Sequence, residues 1–102
     1  MTKKISSQKE FASVKSKFNS ASDFRAFKKD YFFDPVSRVE LTGMQRTQTL
    51  RKKSGARWDI FGVFRTGMTI AEFNRSAKQV SSGAERDADV FIALYKGFIC
   101  LI

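Results

Sequence analysis

The sequence contains no histidine and only one cysteine, Cys100, in 102 residues. Without histidine the chain lacks the commonest general base, the commonest metal ligand and the usual activator of a serine or cysteine nucleophile. One cysteine cannot form an internal disulfide. A structural zinc site is very improbable as well, because such sites need several cysteine or histidine ligands. We therefore expect a protein that is not an enzyme and has no catalytic residues, metal or cofactor. Cys100 lies in the apolar run 98–102 and is expected to be buried and inert.

Long apolar runs and glycine-rich phosphate loops are also missing. None of the six glycines belongs to a GxxxxGK[ST] or GxGxxG pattern. No stretch approaches the roughly 18 apolar residues of a membrane span. The first ten residues, MTKKISSQKE, lack the apolar middle of a signal peptide. The sequence predicts a cytoplasmic protein that makes no use of a membrane.

Positive charge is abundant and unevenly placed. The net charge is +9, and residues 1–57 contain 14 Lys and Arg but only 5 Asp and Glu. Residues 58–102 contain 5 of each kind, so their net charge is zero. This asymmetry favours a polyanionic partner. The alternative is a positive surface that only maintains solubility.

The first part of the chain is predicted to contain a tail and two helices. We expect residues 1–6 to be a mobile tail. Ser7 and Glu10 have the spacing of a capping box, which predicts a first helix over residues 7–18. A second helix is predicted over residues 23–32 with Ser22 as its cap. Apolar side chains recur at helical spacing on both helices, at Phe11, Val14, Phe18, Phe24, Phe27 and Tyr31.

A strand and a basic segment follow Pro35, which ends the helical part. Residues 36–44 alternate in polarity and predict a strand. Residues 45–57, called the arm here, have five positive charges, no acid and one aliphatic residue, Leu50, so we expect an exposed loop. Its cations suit phosphate contacts, and lysines of the second helix could join them. The candidate nucleic-acid-binding residues are Arg46, Arg51, Lys52, Lys53, Arg57, Lys28 and Lys29.

Trp58 directly follows the arm. It is either a core residue, because it shares a helical face with Phe61, or a stacking ring for a base. The rest of the chain is predicted to contain three helices and a strand. The first helix covers 57–65 and is ended by Gly67, and the second is opened by a Thr69–Glu72 capping box. After a turn at 81–83, the third covers 85–96 and is ended by Gly97, and the strand covers 98–102.

The strings FRTGMTIAEFNRSA and FIALYKGFICLI resemble a winged-helix or helix-turn-helix domain over residues 57–102. The matching residues are Gly67, Thr69, Glu72, Leu94, Gly97, Phe98 and Ile99. The same strings are similar to small uncharacterised phage and prophage proteins. The resemblance implies a three-helix unit whose third helix reads the major groove.

The third helix departs from that family at its start, AERDAD. Glu85, Asp87 and Asp89 would be repelled by phosphates there, so either this helix does not enter DNA or only its later part does. The two aspartates are expected to be partners of the helix dipole and not a metal pair.

These patterns predict a mostly helical α+β protein of one domain, residues 1–102. It consists of a basic helical pair (1–35), a strand with the basic arm (36–57) and a winged-helix-like part of three helices and a terminal strand (58–102). The predicted function is non-enzymatic nucleic-acid binding, with regulation as one use. The alternative is a small phage-type inhibitor that binds an acidic surface of a host nuclease, defence complex or polymerase.

Overall fold

The computed structural model describes residues 2–102, which form a compact, mostly helical α+β fold. Six helices and four short strands occur within that range. The helices are α1 (Gln8–Lys15), α2 (Phe24–Asp30), α3 (Arg46–Thr49), α4 (Ala56–Phe61), α5 (Ile70–Val80) and α6 (Ala88–Lys96). The strands are β1 (Lys3–Ile5), β2 (Tyr31–Phe33), β3 (Val39–Leu41) and β4 (Ile99–Leu101). No helix in the described range has both the length and the apolar character needed to span a membrane.

The strands form two separate pairs. β1 and β2 are parallel, with Ile5 opposite Phe33, and β3 and β4 are antiparallel, with Val39 opposite Leu101. The predicted tail over residues 1–6 is therefore wrong for residues 3–5, and Met1 lies outside the described residues. The strand is missed because three residues, two of them lysines, are too few to show an alternation of polar and apolar side chains. Ile5 is nevertheless fully buried in the structure, where β1 pairs with β2.

Both predicted caps are present, but only the one at Thr69 is a complete capping box, because the Glu10 carboxylate accepts the backbone N–H of Ser6 and not that of Ser7. The Ser7 hydroxyl accepts a hydrogen bond from the backbone N–H of Glu10 at 3.2 Å at the start of α1. At the start of α5, the Thr69 hydroxyl accepts the backbone N–H of Glu72 at 3.1 Å. The Glu72 carboxylate in turn accepts the backbone N–H of Thr69 at 3.0 Å, which completes the capping box. The hydroxyl and backbone N–H of Ser6 donate to the Glu10 carboxylate, and the backbone N–H and hydroxyl of Thr69 donate to that of Glu72. These bonds favour the charged carboxylates and lower the pKa values of Glu10 and Glu72.

Several element ends differ from the prediction. α1 ends at Lys15 and not at residue 18, and β3 covers only Val39–Leu41 of the strand predicted over 36–44. α2 stops at Asp30 because the next residues pair with β1 as strand β2, and its N-cap is Asp23 in place of Ser22. α4 ends at Phe61, with Gly62 as its C-cap. Gly67 ends no helix: it has a φ of 92° in a turn, and its N–H donates to the Val39 carbonyl at 2.8 Å.

The last helix also begins later than predicted. α6 starts at Ala88, because Asp87 before it has a left-handed φ of 68°. Its end at Gly97, with a φ of 80°, agrees with the prediction. The chain then forms β4, as the terminal apolar run predicts.

One cluster of buried side chains includes residues from both halves of the chain. α6 runs through it, with six consecutive buried residues, Asp89–Leu94. Phe91 on α6 packs against rings of the N-terminal half, namely Phe11, Phe18, Phe24 and Phe27. Since Lys96 is the one exposed residue of α6, this helix offers little side-chain surface that could lie along a DNA groove.

Candidate nucleic-acid interface

The arm is attached to the fold at several points and is not one continuous loop. It contains the short helix α3, an exposed loop over residues 51–55 and the start of α4. Leu50 is buried in the core, and Lys96 Nζ donates to the Thr49 carbonyl at 2.9 Å. The prediction of a loop over all of 45–57 is therefore wrong for 46–49 and 56–57, which are helical, whereas the predicted exposure is confirmed except at residues 46, 49 and 50.

Two adjoining depressions lie beside the exposed loop. The first is about 420 Å³ and is lined by Arg51, Lys52, Arg57 and Lys96 together with Trp58. The second is about 360 Å³, shares Arg57 and Lys96 with the first, and adds Arg25 from α2. We call these five cations the basic face. They come from three distant parts of the chain, and the fold brings them to one surface.

The carboxylates expected to repel phosphate are all bonded to protein groups. Glu85 forms an ion pair with Lys28, with 2.6 Å between Oε1 and Nζ. Asp87 is only 7% exposed and accepts a hydrogen bond from Asn74 Nδ2 at 2.7 Å. Asp89 is 5% exposed and bonded to Arg57. The expected repulsion is therefore much weaker than the sequence indicates, because two of the three carboxylates point into the protein.

The Arg57–Asp89 pair fixes one cation of the basic face. Arg57 Nε lies 3.1 Å from Asp89 Oδ1, and the arginine side chain remains half-exposed. Because the bond uses Nε, the two terminal guanidinium nitrogens remain for an acceptor from outside. Burial raises the pKa of Asp89, and the nearby arginine offsets only part of that rise.

Removing Arg57 is expected to destabilise the protein through Asp89. Arg57→Ala leaves a buried carboxylate without its charged donor, which costs about 1–3 kcal/mol at neutral pH. The double variant Arg57→Ala/Asp89→Asn should recover most of that loss, because no buried charge remains. Denaturant unfolding of the two variants measures the difference, and equal stabilities would contradict the role given to this pair.

The same pair predicts a pH dependence. The folded-state pKa of Asp89 is raised, so the folded protein holds a proton that the unfolded chain releases at lower pH. The contribution of this group to stability is therefore complete below its ordinary pKa and is lost as the pH rises through its folded-state value. Asp89→Asn should remove this part of the pH profile.

The structure separates the other sequence-predicted residues from the basic face. The Arg46 guanidinium stacks on Trp58 at 4.3 Å from the ring centroid, donates to the Trp58 carbonyl at 3.0 Å and lines neither depression. Lys28 is paired with Glu85. Lys53 and Lys29 are exposed but line neither depression of the described chain. Three of the seven candidates lie on the face: Arg51, Lys52 and Arg57.

Sequence reasoning missed two cations, Arg25 and Lys96. Arg25 belongs to the polar side of α2, and Lys96 occupies the last turn of α6, where a lysine is ordinary because of the helix dipole. Neither position carries a signal that links it to the arm, since only the packing of α2 and α6 brings them there.

Trp58 lies at the edge of the basic face. It is half-buried and packs against the core, in agreement with the prediction of a core residue. Its ring also lines the first depression, and a groove with Leu41, Met44 and Phe98 lies on its other side. The exposed part of the ring is therefore next to the cations, so the stacking alternative also stays open.

Cys100 is half-buried, whereas the sequence predicts a buried residue. Partial burial and the neighbouring Glu40 carboxylate raise the pKa of the thiol. The thiol therefore stays protonated at neutral pH and is a poor nucleophile.

Comparisons of the chain with protein-family models, with curated proteins and with solved structures find no match. Residues 2–102 contain no group of three or more Cys, Asp or Glu side chains placed to hold one metal ion. Geometry and charge are therefore the basis of the functional argument.

Proposed function

We propose that the protein binds nucleic acid without catalysing a reaction and that phosphates contact the basic face. One observation carries the proposal: Arg25, Arg51, Lys52, Arg57 and Lys96 line two joined depressions. The neighbouring carboxylates are buried or paired with cations. Clustered cations on an exposed surface release counterions when they neutralise phosphates, and this release supplies most of the non-specific affinity for nucleic acid.

The local structure supports phosphate contact because the base of the loop is already fixed. Lys96 and Leu50 hold its first end, and α4 begins directly after it at Ala56. Gly55 at the junction has a φ of 99°, which favours glycine over other residues. Binding then orders fewer groups than it would in a free arm, and this lowers its entropic cost.

The resemblance of residues 57–102 to winged-helix domains stays a prediction. It is supported by the order α4, α5, α6 and β4 and by the caps at Thr69 and Gly97. Docking along α6 is not part of our proposal, because six consecutive residues of that helix are buried and Lys96 is its one exposed residue. In the proposed complex the nucleic acid lies across the end of α6, where Lys96 is exposed.

Direct binding tests the proposal. The wild-type protein is titrated into labelled single-stranded DNA, single-stranded RNA and duplex DNA between ~50 and ~200 mM salt. Three to five phosphate contacts predict a slope of log K against log salt between about −2 and −4.5. An oligonucleotide of the same sequence with an uncharged backbone is the control and should not bind. Failure to bind any of the three at ~50 mM salt, or a slope near zero, would contradict the proposal.

A protein-binding role is the second candidate, and one observation favours it. Leu41 and Met44 are 39% and 37% exposed and line a groove of about 430 Å³ with Phe98. Exposed apolar side chains in a groove are typical of protein contacts. A partner captured from nuclease-treated host lysate, and lost when Leu41 and Met44 are changed to serine, would favour inhibition of a host nuclease, defence complex or polymerase.

A further inference from the structure

A second group of cations lies next to the basic face, in the half of the chain whose net charge is zero. Arg75 and Lys78 on α5 and Arg86 in the following loop line a groove of about 520 Å³, which we call the far groove. Lys78 Nζ donates to the Ala84 carbonyl at 3.1 Å and thereby holds this loop against α5. The zero net charge of residues 58–102 therefore conceals a local positive surface.

The acids of this half do not cancel the charge of the far groove. Asp87 and Asp89 are buried, and the Glu72 carboxylate is engaged at the start of α5 by Thr69. Glu85 is the one carboxylate that lines the far groove, and its ion pair with Lys28 balances its charge. Three cations thus face the groove. The Glu85 charge is balanced by Lys28, and Glu72, which interacts with Arg75, is the remaining exposed acid near them.

The far groove and the basic face form one path over the surface. The two depressions of the basic face share Arg57 and Lys96, and the second of them shares Glu85 with the far groove. Glu85 is therefore the junction. Eight cations line the three concave sites of about 360 to 520 Å³, and two of them, Arg57 and Lys96, line both sites of the basic face.

We propose that the nucleic acid bound by the basic face is single-stranded and continues across Glu85 into the far groove. This inference rests on the proposed function. A flexible strand can place successive nucleotides in three concave sites, whereas a duplex is stiff over about 150 base pairs and presents regularly spaced phosphates to a surface. Single-strand binders also combine a positive groove with an aromatic ring, and the half-buried Trp58 ring, on which the Arg46 guanidinium stacks, lines the first depression.

Oligonucleotide length tests this path. Wild type should bind an oligothymidylate of about 16 nucleotides much more tightly than one of about 4, because only the longer strand reaches the far groove. The variant Arg75→Gln/Lys78→Gln/Arg86→Gln should weaken binding of the longer strand about a hundredfold at ~0.1 M salt, at about fivefold for each lost contact. Binding of the shorter strand should change little. The matched control Lys3→Gln/Lys4→Gln/Lys9→Gln removes the same charge from exposed residues outside the path.

Glu85→Gln gives a test that loss of folding cannot imitate. It removes the one acid at the junction and frees Lys28, so the longer strand should bind about fivefold more tightly. Unchanged affinity for the longer strand would place it away from Glu85 and overturn the path.

The remaining outcomes separate this inference from the proposed function. The path is wrong if the far-groove variant, Arg75→Gln/Lys78→Gln/Arg86→Gln, binds the longer strand as tightly as the matched control does. It is also wrong if a 16-base-pair duplex binds wild type at least as tightly as the single strand does. The proposed function itself fails if Arg51→Gln/Lys52→Gln leaves all binding unchanged. The inference alone fails if that double variant weakens binding while the far-groove variant does not.

Discussion

Phe91→Ala is expected to lower the free energy of unfolding by about 3–5 kcal/mol, the largest stability effect of any change considered. Phe91 is fully buried on α6, and its ring centroid lies 4.9 Å from that of Phe27 and 5.7 Å from that of Phe18. Phe11 and Phe24 lie within 6.0 Å of it as well. Alanine would leave a cavity where the two halves of the chain meet. A domain of this size is stable by roughly 5–15 kcal/mol in total, so the variant should be close to unfolding.

Chemical denaturation of Phe91→Ala beside Phe32→Ala checks this expectation. Phe32 is 37% exposed on β2 and so serves as a matched control for the loss of a phenyl ring outside the core. The midpoint should fall strongly for the first variant and only slightly for the second. Equal shifts would contradict the placement of α6 at the centre of the fold.

Local patterns predict the presence of five of the six helices but miss α3, which lies in the segment predicted as a loop. The apolar spacing around Phe11 and Phe24 identifies the buried sides of α1 and α2, and the Thr69 capping box identifies the start of α5. These signals work because each depends on residues within one or two turns of the same helix.

Features that depend on distant contacts are missed. β1 exists because β2 pairs with it, and nothing in KKI indicates a strand. Asp87 adopts a left-handed φ and delays α6, and its carboxylate accepts hydrogen bonds from Asn74 and from the backbone of Phe33. A left-handed aspartate is strained unless such contacts hold it, and no local pattern predicts them.

The same distinction applies to the candidate site. The exposed loop with Arg51 and Lys52 is predictable, because five cations without an apolar pattern rarely belong in a core. Arg25 and Lys96 are 71 positions apart, and only tertiary packing places both on the basic face. The acidic start of the third predicted helix suggests repulsion of phosphates, but packing buries Asp87 and Asp89. Their burial cannot be deduced from their spacing in the sequence.

Arg51→Gln/Lys52→Gln/Lys96→Gln is expected to produce the largest loss of binding among changes to the basic face. Each lost phosphate contact flattens the slope of log K against log salt by about 0.7. Over the tenfold range from ~1 M to ~0.1 M salt, that change corresponds to about a fivefold loss of affinity at the lower salt concentration. Three contacts therefore predict a loss on the order of a hundredfold at ~0.1 M salt. Fluorescence anisotropy with labelled single-stranded DNA measures it, and thermal unfolding confirms that the variant is folded. A loss below about threefold in a folded variant would contradict the proposed contacts.

The most direct test of the proposed function compares two variants with the same net charge. Arg51→Gln/Lys52→Gln removes two cations of the basic face, and Lys3→Gln/Lys9→Gln removes two exposed cations outside it. The salt dependence of the affinity for one single-stranded DNA is measured for both variants and for wild type. If phosphates contact the basic face, the first variant should have a slope flatter by about 1.4, and the second should keep the wild-type slope. Equal slopes for the two variants would show that the protein attracts nucleic acid only through its overall charge and would contradict a defined binding face.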